Sequence, residues 1–157
     1  EMQTFLVKGL DRFTELARVT PDLTFVIVGI GKEMYPGFNP RPDNLVLVPL
    51  VDQQELYQWF GRAKFYAQLS RSEGMPNGLC EAMLMDCIPL GMRIGGIPAV
   101  IADNGYLLDE WDAETARTYL MSHLEDDETG VMARKSIVER FHIKKRAIYL
   151  EMLLTGL

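Results

Sequence analysis

Four short apolar runs, each ending in a turn and separated by stretches of helical periodicity, constrain this chain more than any other feature. Leu23 to Val28 (LTFVIV), Leu45 to Leu50 (LVLVPL), Lys64 to Leu69 (KFYAQL) and Cys87 to Met92 (CIPLGM) are too short for core helices. They read as strands, the first of them buried on both faces. Tyr106 to Leu108 adds a fifth, shorter one. Between them, Lys8 to Arg18 places Leu10, Phe13, Leu16 and Ala17 on one helical face, and Pro21 stops the helix. Asp52 caps a helix from Gln53 to Phe60 with Leu56, Trp59 and Phe60 as its buried stripe. A loop from Lys32 to Pro42 is tacked down by Tyr35 and Phe38. The stretch from Asp112 to Leu154 is mostly helical, with breaks near Asp126 to Thr129 and Phe141 to Ile143. Strand and helix alternating with short links imply an α/β fold, a parallel β-sheet with helices on both faces. At 157 residues the chain makes one domain.

In such a fold ligands bind beyond the carboxyl ends of the strands. Gly29, Gly31, Gly74, Gly95 and Gly96 all fall just past a strand end and are expected to converge on one rim. Gly29-Ile30-Gly31 alone is weak, since it lacks the third glycine of a dinucleotide fingerprint.

The richest segment lies between Glu73 and Glu81. Gly74-Met75-Pro76-Asn77-Gly78 is a turn, and Leu79, Ala82, Met83 and Leu84 continue as good helix formers. A helix starting in such a loop presents unpaired N–H groups and a positive dipole end, which suits a phosphate. Two flanking carboxylates would repel that phosphate, so hydroxyl groups are their natural partners. An anion site beside hydroxyl acceptors suggests a sugar nucleotide. A plainer reading stays open: Asn77 or Gly78 as N-cap, with Glu81 complementing the dipole.

A net charge of −6, without a basic stripe, argues against nucleic acid as a partner. The one basic cluster, Lys144-Lys145-Arg146, suits a solvated helix face or an anionic membrane surface. Cys80 and Cys87 lie among apolar neighbours and read as reduced thiols of a cytoplasmic protein; without paired histidines they make no zinc site. No apolar run approaches a membrane span, and the first residues do not resemble a signal peptide. His123 and His142 read as structural or surface residues, Met83, Met85 and Met92 as core filler, and Trp59 and Trp111 as packing residues. The abrupt start at Glu1 suggests a piece of a longer protein.

The stretch SEGMPNGLCEAMLMDCIPLGMRIGGIPAVIADNGYLL, Ser72 to Leu108, resembles the donor-binding core of the retaining GT-B glycosyltransferases of family 4. It has their Glu-x7-Glu motif, Ala-Met helix, Gly-Gly-x-Pro loop and Asn-Gly-Leu-Leu-type strand. Lys8-Gly9-Leu10-Asp11, Asn44 to Gln58, and Ala133 to Leu154 with Arg140-Phe141 extend the likeness over nearly the whole chain. The resemblance implies a Rossmann-like domain spanning residues 1–157, the C-terminal lobe of a two-lobed enzyme. Its partners would be a nucleotide-diphosphate sugar donor and the N-terminal lobe of the same protein, which supplies the acceptor site. The setting would be polysaccharide or glycolipid synthesis, at the inner face of the membrane or in the cytoplasm.

By the same resemblance Glu73 lies nearest the transferred sugar and Glu81 accepts from ribose hydroxyls. Backbone groups of Gly74, Met75, Asn77, Gly78 and Leu79 line the diphosphate; Pro76 belongs to that loop but has no N–H to donate. Lys8 adds charge on the phosphates, and Glu73 and Lys8 are the catalytic pair expected in this lobe. Pro49, Leu50 and Val51 lie near the base, unless they are plain strand-end packing. No cofactor and no metal are expected, since a fixed positive field takes the metal's place and the chain has no Asp-x-Asp. Two departures stand out. Gln3 occupies the position where relatives carry an Arg, so either that Arg and the first strand precede Glu1 or the contact is missing. Ala99 stands where relatives commonly have Glu. A nucleotide-sugar epimerase of similar fold and a non-catalytic nucleotide-binding module remain as other readings.

Overall fold

A computed structural model describes residues 2–141. The Lys144-Lys145-Arg146 cluster, His142 and the expected helix up to Leu154 lie outside the described residues. The elements are α1 (Met2–Val7), α2 (Leu10–Val19), β1 (Phe25–Val28), a 3-10 helix (Lys32–Phe38), β2 (Leu45–Val48), α3 (Gln53–Arg62), β3 (Phe65–Gln68) and α4 (Asn77–Leu84). They continue with β4 (Ile88–Met92), α5 (Ile97–Ile101), β5 (Tyr106–Leu108), α6 (Ala113–Ser122) and α7 (Glu128–Arg140).

All strand pairs are parallel, in the orders β1-β2 and β3-β4-β5. The α/β class is as expected, but the hydrogen bonding resolves into two ladders rather than one sheet. Side chains still unite them: Phe25, Ile27 and Leu45 share a core with Leu69, Leu90, Met92 and Leu108. Helices cover both faces. α2 packs on α6 on one side, while α4 packs on α7 on the other, around Leu79, Met83, Ile97, Val100, Ile101, Ala133 and Ile137.

The strand buried on both faces is β4, inaccessible along its whole length. In β1 only Phe25 and Ile27 are buried, because the other face is only partly covered. The helix expected from Lys8 starts at Leu10 as α2, and a separate helix, α1, precedes it. Gly9 has φ 70° and joins α1 to α2, and a Cβ there would stand 2.1 Å from the Leu69 carbonyl oxygen. Glycine alone tolerates both the conformation and the contact. Asn44 ties the end of α2 to the start of β2, its Nδ2 lying 2.8–3.0 Å from the carbonyls of Ala17, Thr20 and Leu23.

Asp52 caps α3, accepting from the Glu55 N–H at 2.8 Å. Phe38 is buried and holds the loop after β1 against Phe5, their rings 4.9 Å apart. Met83 and Met92 are core residues, whereas Met85 is exposed just past the end of α4. Trp111 donates its Nε1 hydrogen to Glu15, and His123 stacks on Tyr119 at the end of α6. Among the described residues no helix is long and apolar enough to cross a membrane.

Candidate functional site

The site is built at the carboxyl end of β3, where the chain runs through Ser70, Arg71, Ser72 and Glu73 into α4. Arg71 pins this loop to α2 with a two-pronged pair to Asp11, both bonds at 2.7 Å, and its N–H reaches back to the Val7 carbonyl. Burial works to raise the Asp11 pKa, but the Arg71 bond and charge win and hold it below the usual carboxylate value. The same hydrogen bond raises the pKa of Arg71. The loop is therefore fastened before any ligand arrives.

A second clamp comes from the loop between β4 and α5. Gly96 donates its N–H to the Gly74 carbonyl at 2.9 Å. A Cβ on Gly95 would lie 1.8 Å from the Glu73 carbonyl oxygen, and one on Gly96 would lie 2.3 Å from that of Gly74. The two glycines let one loop backbone lie directly against another. Of the five glycines expected on one rim, Gly74, Gly95 and Gly96 thus meet. Gly29 instead bonds to the carbonyls of Val48 and Pro49 at the end of β2, and Gly31 abuts the Glu33 side chain.

The start of α4 differs from both caps considered above. Pro76 is the N-cap, with extended backbone, and its carbonyl accepts from Leu79 and Cys80. Proline sacrifices no donor there, so the helix begins one residue earlier than an Asn77 cap would allow and two earlier than a Gly78 cap would. The N–H groups of Asn77 and Gly78 consequently have no acceptor among the described residues. Leu79 differs: its N–H bonds to Pro76 and its side chain is fully buried. Glu81 now falls beyond the first turn, outside capping-box reach. It is half-buried and makes no hydrogen bond or ion pair among the described residues. Gly78 leaves room for Tyr66, whose hydroxyl would be 2.9 Å from a Cβ at that position.

Glu73, on the other hand, is surrounded by donors. Its Oε2 receives Lys8 Nζ at 3.2 Å, Gln68 Nε2 at 3.3 Å and Ser70 Oγ at 3.3 Å. The Glu73 side chain is 14% exposed and that of Lys8 52%, so the carboxylate is fixed while the ammonium reaches it from solvent. Structure therefore brings Lys8, Glu73 and the start of α4 together. It adds Gln68 and Ser70, which the sequence reading did not select. The available signal was period two: Tyr66, Gln68 and Ser70 lie on one face of β3 and its extension. Leu50 and Val51 lie beyond the end of β2, which stops at Val48 rather than Leu50. Leu50 is 87% exposed, so strand-end packing does not explain it. Met75 is also exposed. No group of three or more His, Cys, Asp or Glu that could hold a metal ion occurs among the described residues.

Comparison with known proteins agrees with this fold. A curated relative, N-acetyl-alpha-D-glucosaminyl L-malate synthase of Bacillus anthracis, is 36% identical over 83 residues, covering 49% of this chain and 22% of its own length. The chain thus matches well under two thirds of that relative. Among solved structures, the C-terminal domain of a glycosyl transferase group 1 family protein (LpcC) from Francisella tularensis superposes with a TM-score of 0.71. The two are 22% identical, over 87% of this chain and 81% of that one. Anabaena Alr3699/HepE, solved in complex with UDP-glucose, gives a TM-score of 0.78 at 18% identity, over 96% of this chain and 46% of the other. At those identities the likeness establishes the fold, that of GT-B C-terminal domains. The family described as "Glycosyl transferases group 1" matches residues 3–126, and the chain belongs to it.

Proposed function

We propose that this chain is the donor-binding lobe of a two-lobed glycosyltransferase. It holds a nucleoside-diphosphate sugar, and the full enzyme transfers the glycosyl group with retention to an acceptor in polysaccharide or glycolipid assembly. The observation that carries the reading is the pairing of two N–H groups without an acceptor among the described residues, at Asn77 and Gly78, with two carboxylates of different surroundings, Glu73 and Glu81. The N–H groups and the dipole of α4 suit a diphosphate. The UDP-glucose bound to the structurally similar HepE supports that class of donor.

The roles follow from position. Glu81, half-buried and without a partner among the described residues, accepts from the ribose hydroxyls. Glu73 accepts from hydroxyls of the transferred sugar through Oε1, the oxygen left over by its three donors. Lys8 pairs with Glu73 before the donor arrives; its exposed, flexible stem lets the ammonium shift onto the diphosphate. As the bond to the anomeric carbon breaks, negative charge grows on the leaving diphosphate. The fixed N-terminus of α4, joined by Lys8 once it has shifted, stabilises that charge. Backbone groups from Gly74 to Gly78, except Pro76, line this phosphate site, and the exposed Leu50 with Val51 lies near the base. The acceptor and the opposite wall of the cleft come from the N-terminal lobe. The reaction needs no cofactor and no metal in this account.

Calorimetric titration with UDP, GDP and ADP, and with their glucose conjugates, tests the assignment. Glu81→Ala should weaken every ligand that binds by about 1–3 kcal/mol. Glu73→Ala should remove the advantage of a sugar conjugate over its bare diphosphate. Binding indifferent to both substitutions overturns the proposal.

A further inference from the structure

We infer that Gln68 is a positioning residue for Glu73: the half-buried Tyr66 hydroxyl fixes which way the Gln68 amide points, and the amide aims the carboxylate. The inference rests on the reading of Glu73 as the acceptor of sugar hydroxyls.

Tyr66 lies beneath the first turn of α4, its ring 5.7 Å from that of Phe60. Its hydroxyl donates to Gln68 Oε1 at 3.2 Å. Burial, then the nearby Glu73 and Glu81 charges, push the phenol pKa far above its ordinary value, so it stays a donor at any working pH. With Oε1 taken, the amide nitrogen must face the other way. It donates to Ser70 Oγ at 2.8 Å and to Glu73 Oε2 at 3.3 Å, and Ser70 Oγ passes its own hydrogen to the same oxygen at 3.3 Å. Every bond in the chain points toward Glu73.

A flipped amide would fail at both ends. Its oxygen would confront the Glu73 carboxylate, and its NH2 would meet a hydroxyl whose only hydrogen needs an acceptor. Only one orientation satisfies all the groups. Its consequence is that Oε2 keeps the Gln68 and Ser70 hydrogens even when Lys8 turns to the diphosphate, and Oε1, unpartnered among the described residues, remains for the ligand. None of this depends on contact between Gln68 and the substrate.

The test uses the tightest binder among UDP-, GDP- and ADP-glucose, measured alongside the matching bare diphosphate. Tyr66→Phe keeps the ring but removes the orienting bond; Gln68→Leu removes the relay. Sugar-conjugate affinity should fall about threefold in the first and about tenfold in the second, with bare diphosphate affinity unchanged. The double variant should match Gln68→Leu alone, since Tyr66 acts only through Gln68. Should Gln68→Leu fail to fold, Tyr66→Phe carries the test by the same selective loss. Additive effects, equal losses on both ligands, or no loss overturn the inference, provided Glu73→Ala erases the conjugate's advantage. If Glu73→Ala leaves that advantage intact, or no conjugate binds, the inference falls together with the assignment of Glu73.

Discussion

Replacing Gly95 by alanine should damage donor binding through the backbone alone. Gly95 has φ 56°, a left-handed conformation that costs an L-residue about 1–2 kcal/mol. The added Cβ would also lie 1.8 Å from the Glu73 carbonyl oxygen and 2.9 Å from its carbon. Neither atom can swing aside like a side-chain end, so the Glu73 peptide must retreat by about an ångström to reach a tolerable contact. Strain and displacement together predict a loss of about 2–4 kcal/mol of stability, in the range of severe single substitutions. The same shift would pull Glu73 away from Lys8, Gln68 and Ser70, whose bonds are already 3.2–3.3 Å long. Urea unfolding reads the first effect, and titration with the sugar conjugate reads the second, expected to be at least about tenfold. Gly74→Ala is the control, because a Cβ there meets nothing within 4 Å. It should leave stability within about 0.5 kcal/mol. Gly95→Ala with wild-type stability and donor affinity would refute the clamp.

Burial pushes the Cys87 thiol up to about 12 and raises that of Cys80 as well, so thiol reagents at neutral pH should label both quickly only after unfolding. Rapid labelling of the folded protein at Cys87 would contradict its placement. Asp11 titrates lower in the folded protein than its ordinary 3.8, so its contribution to stability is complete above that value and is lost as pH falls through the depressed one. Arg71→Met should flatten this part of the acid limb in stability measured against pH; an unchanged limb would contradict the pairing. Asp52→Ala should cost about 1 kcal/mol in urea unfolding by removing the α3 cap. No loss would mean that the cap bond to Glu55 is inconsequential.

The strands were legible because apolar runs such as Phe25–Val28 and Ile88–Met92 report burial directly. The turn into α4 was legible as well, since glycine and proline in quick succession mark a break before a helix. What escaped depends on contacts distant in sequence. The break at Gly9 follows from the Leu69 carbonyl, sixty residues away, and looks locally like an uninterrupted helix start. Pro76 became the cap because the loop holds it there, whereas residue preference favours Asn77. β2 stops two residues short because Pro49 has no N–H to donate to a ladder, a signal the apolar run around it masked. Gln68 resembled an ordinary polar residue on a strand until Tyr66 and Glu73 were seen at its two ends.

A crystal structure of the protein with a bound nucleoside-diphosphate glucose tests the central claim most directly. The account predicts a phosphate oxygen about 2.9 Å from the Asn77 or Gly78 nitrogen, with ribose hydroxyls on Glu81 and sugar hydroxyls on Glu73 Oε1. A diphosphate bound away from the start of α4, with both carboxylates untouched by the ligand, would contradict it.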